Sequence, residues 1–295
     1  MTDLEASMSK LKSAAECAIT AVEKEERLDE ISEPVAAAVK KATGRRGVKN
    51  LLSGTWLGHA LHPVLTDVPI GSWLAASVLD LTAGDAGADA ARRLTGFGVL
   101  AAVPAAASGA SDWSDSYGAE QRAGLVHGLA NSVGTTLQMA SWFARRRGAR
   151  GAGTVLSLAG LGITLAAAYL GGHLSFVRGT GVNRTAFDEP ADSWVDVAAE
   201  TELSSDKPVR VDADGVAVVL VKHEDTIRAL SATCTHAGGP LDEGHIDDAG
   251  CIVCPWHGSR FRLRDGAAMR GPASVDEPRW DVRVADGRVS VRAAD

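Results

Sequence analysis

CTHAGGPLDEGHIDDAGCIVCPWHGS, residues 234–259, contains two short loops that each offer one thiolate and one imidazole: Cys234 with His236, and Cys254 with His257. Four such donors can hold a zinc ion, or a binuclear iron-sulfur cluster with two Cys on one iron and two His on the other. Spacing separates the two. Zinc ribbons begin with Cys-x2-Cys pairs, whereas here Cys-x-His is followed by Cys-x2-His, each in a loop rich in Gly and Pro.

That paired motif resembles the Rieske iron-sulfur module, over about residues 193–295. The resemblance implies a small all-β domain, a 2Fe-2S cluster held by Cys234, His236, Cys254 and His257, and single-electron transfer. Two ferric irons, two sulfides and two thiolates sum to zero charge, whereas four thiolates leave the cluster negative; an added electron is then less opposed and the potential rises. Backbone N–H groups around Gly238, Gly239 and Gly258, and the Ser259 hydroxyl, are candidate donors to the sulfurs. Pro240, Pro255 and Trp256 are candidates for excluding water. High-potential Rieske subunits of quinol-oxidising complexes carry an extra, disulfide-linked Cys in each loop and a Tyr two residues after the loop Ser. Here Gly239, Trp256 and Phe261 stand at those positions, so the pattern is similar to ferredoxin-type modules, with a lower potential and no need of an oxidising compartment. Cys251 is read as a strand-core residue and Cys17 as a small helical one.

Around the motif the period is that of strands. PVRVDADGVAVVLVKHEDTIRALSA, residues 208–232, alternates or runs in β-branched residues about Asp214-Gly215, and Asp265-Gly266 and Asp286-Gly287 supply two further hairpin turns. Upstream, residues 173–192 have the Gly, Asn and Pro of a linker.

Residues 51–172 change character. Four windows, 62–83, 92–110, 123–144 and 152–171, are apolar or small over about the 20 residues that cross a bilayer as helix. Abundant Gly, Ala, Ser and Thr permit close helix approach, and Arg92-Arg93 and Arg145-Arg146-Arg147 stand at window edges. The expectation is a mixed fold: N-terminal amphipathic helices in 1–50, a four-helix transmembrane bundle in 51–172, and an all-β domain in 193–295. In the first segment Leu4, Met8, Leu11, Ala15, Ile19, Val22, Leu28 and Ile31 recur at near-helical spacing, and Pro34 is placed to open a second helix. TWLGHALHPVLTDVPIGSWLAASVLDL, with SGASDW and GLVHGLANS downstream, resembles an uncharacterised bacterial four-helix membrane domain often fused to Rieske modules, over roughly residues 50–185. That resemblance implies no activity.

An even number of crossings brings His62, His127 and His173 to one membrane face. They are candidate ligands of a b-type haem, with His59 one turn from His62; a quinone pocket lined by the same residues is the second option. Asp67 is a functional suspect in an apolar helix, Asp80 is read as solvated, and Trp56, Trp113 and Trp142 as interfacial anchors.

With a formal charge of −7 over 295 residues there is no basic field for nucleic acid. No Gly-x-Gly-x-x-Gly opens a strand-helix unit, so a reductase partner is implied. The reading is a membrane-anchored iron-sulfur protein that passes single electrons between a reductase or other donor and a membrane-associated acceptor. It is an electron-transfer component rather than a stand-alone enzyme. The alternatives are an accessory ferredoxin of an oxygenase and a non-redox zinc module. The expected location is the bacterial cell membrane, multi-pass, with the β domain facing the cytoplasm because no export signal precedes it; oligomeric state is left open.

Overall fold

Helix in the first half follows from long Ala-, Leu- and Val-rich runs closed by charged or Gly-containing turns; strand in the second follows from alternation broken by Asp-Gly pairs. A computed structural model describes residues 3–294. The chain forms two units, one from Met1–Thr43 and Leu61–Thr180, the other from Gly44–Ala60 and Gly181–Asp295.

The helical unit contains α1 (Asp3–Lys24), α2 (Asp29–Thr43), α4 (Leu61–Thr82), α5 (Ala88–Trp113), α6 (Gly118–Arg146) and α7 (Arg150–Gly172). Helix α2 begins before Pro34, with Asp29 and Glu30 in its first turn, where acidic side chains favour the helix dipole. Ile19 of α1 packs against Ala123 and Leu170, and the Arg122 guanidinium grips both carboxylate oxygens of Asp29 at 2.8 and 2.6 Å. Helices α4 and α6 each pack on α5 and α7, so they face one another diagonally across a four-helix bundle.

Among the described residues three helices are long and apolar enough to cross a membrane: Leu61–Thr82, Gly84–Trp113 and Arg150–Val177. The expected four windows are thus met by three. Helix α6 forms, but it carries Gln121, Arg122, Asn131, Gln138, Arg145 and Arg146. Those polar groups are used. Gln138 donates to Ser157 O at 2.9 Å, and Arg145 forms an ion pair with Asp80, donating from Nη1 to Oδ1 at 2.8 Å. Asp80 is therefore buried rather than solvated, its side chain 0% exposed, because an apolar bundle leaves an acid only an internal partner. Trp113 donates to Gln121 O at 2.8 Å, Arg146 lies over the Trp142 ring, and Trp56 is exposed.

The β unit has a six-stranded sheet of β1 (Val195–Ala199), β2 (Val209–Ala213), β3 (Val216–His223), β4 (Thr226–Ser231), β9 (Arg279–Ala285) and β10 (Arg288–Ala293), in the order β1-β10-β9-β4-β3-β2. A four-stranded sheet, β5 (His245–Ile246), β6 (Cys251–Val253), β7 (Arg260–Arg262) and β8 (Ala268–Arg270), carries the site. Asp214-Gly215 and Asp286-Gly287 turn with φ positive at both residues, as two-residue hairpins of this twist require. Glu224-Asp225 makes the β3–β4 turn in the same way without glycine. Helix α3 (Arg46–Ser53) also belongs to this unit. Asn50 donates to Met269 O and accepts from Gly271 N–H, and Thr55 donates to Ala273 O.

Candidate iron-sulfur site

Two loops with one hydrogen-bond plan build the site. In the first, Cys234 N–H donates to Gly239 O at 2.9 Å and Gly238 N–H to Cys234 O at 2.8 Å; in the second, Cys254 N–H donates to Ser259 O at 2.8 Å and Gly258 N–H to Cys254 O at 3.0 Å. Each loop turns at a glycine of positive φ, Gly238 at 80° and Gly258 at 70°, a conformation that disfavours a side chain. The loops rest on a core of Leu230, Leu241, Ile252, Phe261 and Leu263, which also takes in both cysteines. Cys251 lies buried in β6, as its strand reading expects.

The folded loops sort the four donors by type. The Cys234 and Cys254 thiols are hydrogen-bonded to each other, which together with burial pushes Cys234 up. That bond, and the N–H groups of Trp256 and His257, hold Cys254 down to about 7. Among the causes acting on Cys234, the His236 N–H favours the thiolate. The His236 and His257 rings stand edge to face, centroids 4.8 Å apart. Among the described residues no three His, Cys, Asp or Glu side chains gather as they would around one ion. A thiol pair and an imidazole pair fit a binuclear cluster, soft sulfur on one metal and imidazole on the other, better than a single zinc.

Shape agrees with that donor chemistry. A Cβ on Gly239 would stand 2.8 Å from Cys254 Sγ and 3.1 Å from the Trp256 ring. Trp256 and Pro255 are exposed, with the Trp256 ring beside Gly239 at the site; Leu241 and Phe261 belong to the apolar core on which the loops rest. Ser259 is wholly buried and its hydroxyl accepts from Ala273 N–H at 3.0 Å. Arg270 donates to Gly258 O at 2.8 Å.

One site residue left no mark in the sequence reading. Glu277, 2% exposed, accepts from Thr235 N–H at 3.1 Å between the two donors of the first loop. Burial raises its carboxyl well above the ordinary range, against the opposing pull of the Thr235 N–H. It lies forty-two positions downstream in an irregular Asp-Glu-Pro stretch, where an acid reads as solvated.

The three candidate haem histidines do not assemble as one set. His62 and His127 meet, ring centroids 6.3 Å apart. His173 instead faces Glu23 at 3.0 Å, beside Arg178. Arg178 and His173 hold the Glu23 carboxyl below its ordinary range, so an ionised acid of α1 is the partner that His173 finds.

Comparison with known proteins agrees with the geometry. Residues 193–284 match the Rieske [2Fe-2S] domain, and residues 58–184 match a family described as a predicted membrane protein, DUF2231. The chain is similar to Ferredoxin CarAc of Metapseudomonas resinovorans, 32% identical over 99 residues, covering 33% of this chain and 92% of that one. It is also similar to the cytochrome b6-f complex iron-sulfur subunit of Chlorobaculum tepidum, 35% identical over 78 residues, covering 26% of this chain and 41% of that one. Among solved structures, the ferredoxin of carbazole 1,9a-dioxygenase from Nocardioides aromaticivorans IC177 is 32% identical, covers 35% of this chain and 99% of that one, with a TM-score of 0.33.

Proposed function

We propose, for a chain that belongs to the Rieske [2Fe-2S] family through residues 193–284 and carries a membrane-protein domain upstream, that it is a membrane-anchored one-electron carrier. It would take electrons from a soluble reductase or other donor and pass them to an acceptor in or on the bilayer. The observation that carries this reading is the sorted donor set, two thiols in one contact and two imidazoles in another, on a chain with three apolar spans.

Cys234, Cys254, His236 and His257 would hold the cluster. When bound, it supplies a single electron-accepting centre of higher potential than an all-cysteine one. The chain's own groups set the surroundings. N–H groups of His236, Trp256 and His257 stabilise thiolate charge, and Ser259, already held by Ala273, keeps its own proton for donation. His236 is partly exposed, which makes the imidazole edge the exit for an electron. The placement that goes with this reading is a multi-pass membrane protein with its β domain facing the cytoplasm, since Gly239 and Trp256 stand where a high-potential Rieske module has its disulfide and the site needs no oxidising compartment. A quinone in the bilayer is one candidate acceptor.

A second reading is favoured by the relatives. Relatives matched over 90% and 80% of their length are ferredoxin components of an anthranilate dioxygenase and an alkene monooxygenase, which makes this chain a candidate ferredoxin component for an oxygenase held at the membrane.

The full chain, purified anaerobically in detergent, tests the proposal. Iron and acid-labile sulfide in equal amounts, an absorption bleach on one-electron reduction, and loss of both in Cys234→Ser and His257→Ala would support it. Zinc without labile sulfide in freshly prepared protein would overturn it.

A further inference from the structure

The helical unit repeats itself. His62, Trp73 and Asp80 on α4 have counterparts in His127, Gln138 and Arg145 on α6, all at the 65-residue step that separates the Asp80–Arg145 pair. The first two pairs make the same kind of contact with the following helix, and the third pair joins α4 to α6. His62 Nδ1 bonds Ala105 O on α5 at 2.9 Å, and His127 Nδ1 bonds Ala167 O on α7 at 2.8 Å. Trp73 Nε1 donates to Thr95 O, and Gln138 Nε2 to Ser157 O. One turn beyond each acceptor carbonyl a glycine makes room for the ring: a Cβ on Gly109 would lie 2.6 Å from His62, and one on Gly171 2.9 Å from His127. Two like helical hairpins therefore face each other, and the matching histidines meet on the axis of the bundle.

From this pairing we propose that His62 and His127 form a bis-imidazole metal site, separate from the iron-sulfur site and built by the duplication itself. A carbonyl can only accept, so both Nδ1 atoms carry the proton and both Nε2 atoms keep a lone pair. A carbonyl behind each imidazole is the support that metal-ligating histidines have. Metal–nitrogen bonds of about 2 Å to each ring place two ring centres about 6 Å apart, and the observed separation is 6.3 Å with planes at 81°. The Asn131 amide donates to His127 Nε2 at 3.2 Å and also to His127 O at 3.0 Å; it keeps the second acceptor when a metal takes the first. Among the described residues no third His, Cys, Asp or Glu joins the pair. The site therefore suits a centre that needs two protein nitrogens only: a linear cuprous ion, or an iron whose other four ligands come from a porphyrin. His173, bound to Glu23, takes no part.

The full chain in detergent is titrated separately with cuprous ion and with ferric protoporphyrin. The parent for this experiment carries Cys234→Ser and Cys254→Ser, so that failure of the cluster reading does not affect the result. Stoichiometric binding of one of the two probes, lost at least tenfold in His62→Gln and in His127→Gln at unchanged far-ultraviolet helicity, and kept in His173→Gln and Asn131→Ala, supports the site; the probe that binds identifies the metal source. No binding of either probe by the parent, or binding that persists in both His62→Gln and His127→Gln, overturns it.

Discussion

Gly239 lies so close to Cys254 that the smallest side chain would reach 2.8 Å from Sγ. The two residues belong to different loops of the candidate site, which pack against each other here. Gly239→Ala must push the second loop away or displace the Trp256 ring. The expected result is a loss of about 1–3 kcal/mol of stability, typical of overpacking, with iron and sulfide per chain below the parent. Metal analysis and thermal unfolding check both.

Asp80 and Arg145 close the far end of the two matched hairpins with their side chains 0% and 2% exposed. Removing one partner leaves a buried charge alone. Asp80→Ala should cost about 3–5 kcal/mol, and Asp80→Leu with Arg145→Leu distinctly less. Thermal unfolding in detergent of Asp80→Ala and of the double variant measures the difference; equal costs for the two would show that the charges are independently solvated.

Glu277 makes stability depend on pH with a stated sign. Its folded carboxyl is raised above the unfolded value by burial, so the folded state holds the proton longer and stability falls as pH rises from the ordinary carboxyl range toward the folded value. Glu277→Gln, which keeps an acceptor for Thr235 N–H, removes that slope. Melting temperatures between pH 5.5 and pH 8.5 should therefore fall less in the variant than in the parent.

Asn50 holds α3 on the β unit through two hydrogen bonds, to Met269 O and from Gly271 N–H. Gly271 packs closely against the end of α3 and the turn after it, where a Cβ would press on Thr55 at 3.1 Å and on Ser53 at 3.3 Å. Asn50→Ala should destabilise the unit by about 1–3 kcal/mol. Faster limited proteolysis within residues 44–60, with residues 181–294 still protected, is the expected pattern.

Much of this was legible from local chemistry. The β period, the Asp214-Gly215 and Asp286-Gly287 turns and the apolar runs of α4, α5 and α7 depend on neighbours a few positions apart, and sequence displays those directly. Glu224-Asp225 was not legible as a turn because it reaches positive φ without glycine. Helix α6 carries polar side chains whose partners, Asp80 and Ser157, lie on other helices, so how it satisfies them is not visible in its own window of sequence. The assignment of His173 beside His62 and His127 failed because the competing carboxylate, Glu23, comes from α1, 150 positions away.

By itself the sequence determined the donor inventory and the backbone that carries it: two Cys, two His and the left-handed glycines of two short loops, all set by spacing. Only the tertiary structure decided who meets whom. Pairing thiol with thiol, placing Glu277 under the first loop, laying α3 on β8 and joining His62 to His127 across the bundle depend on which buried polar groups find partners. That is a balance of desolvation and hydrogen bonding between chain segments far apart, which no local pattern records.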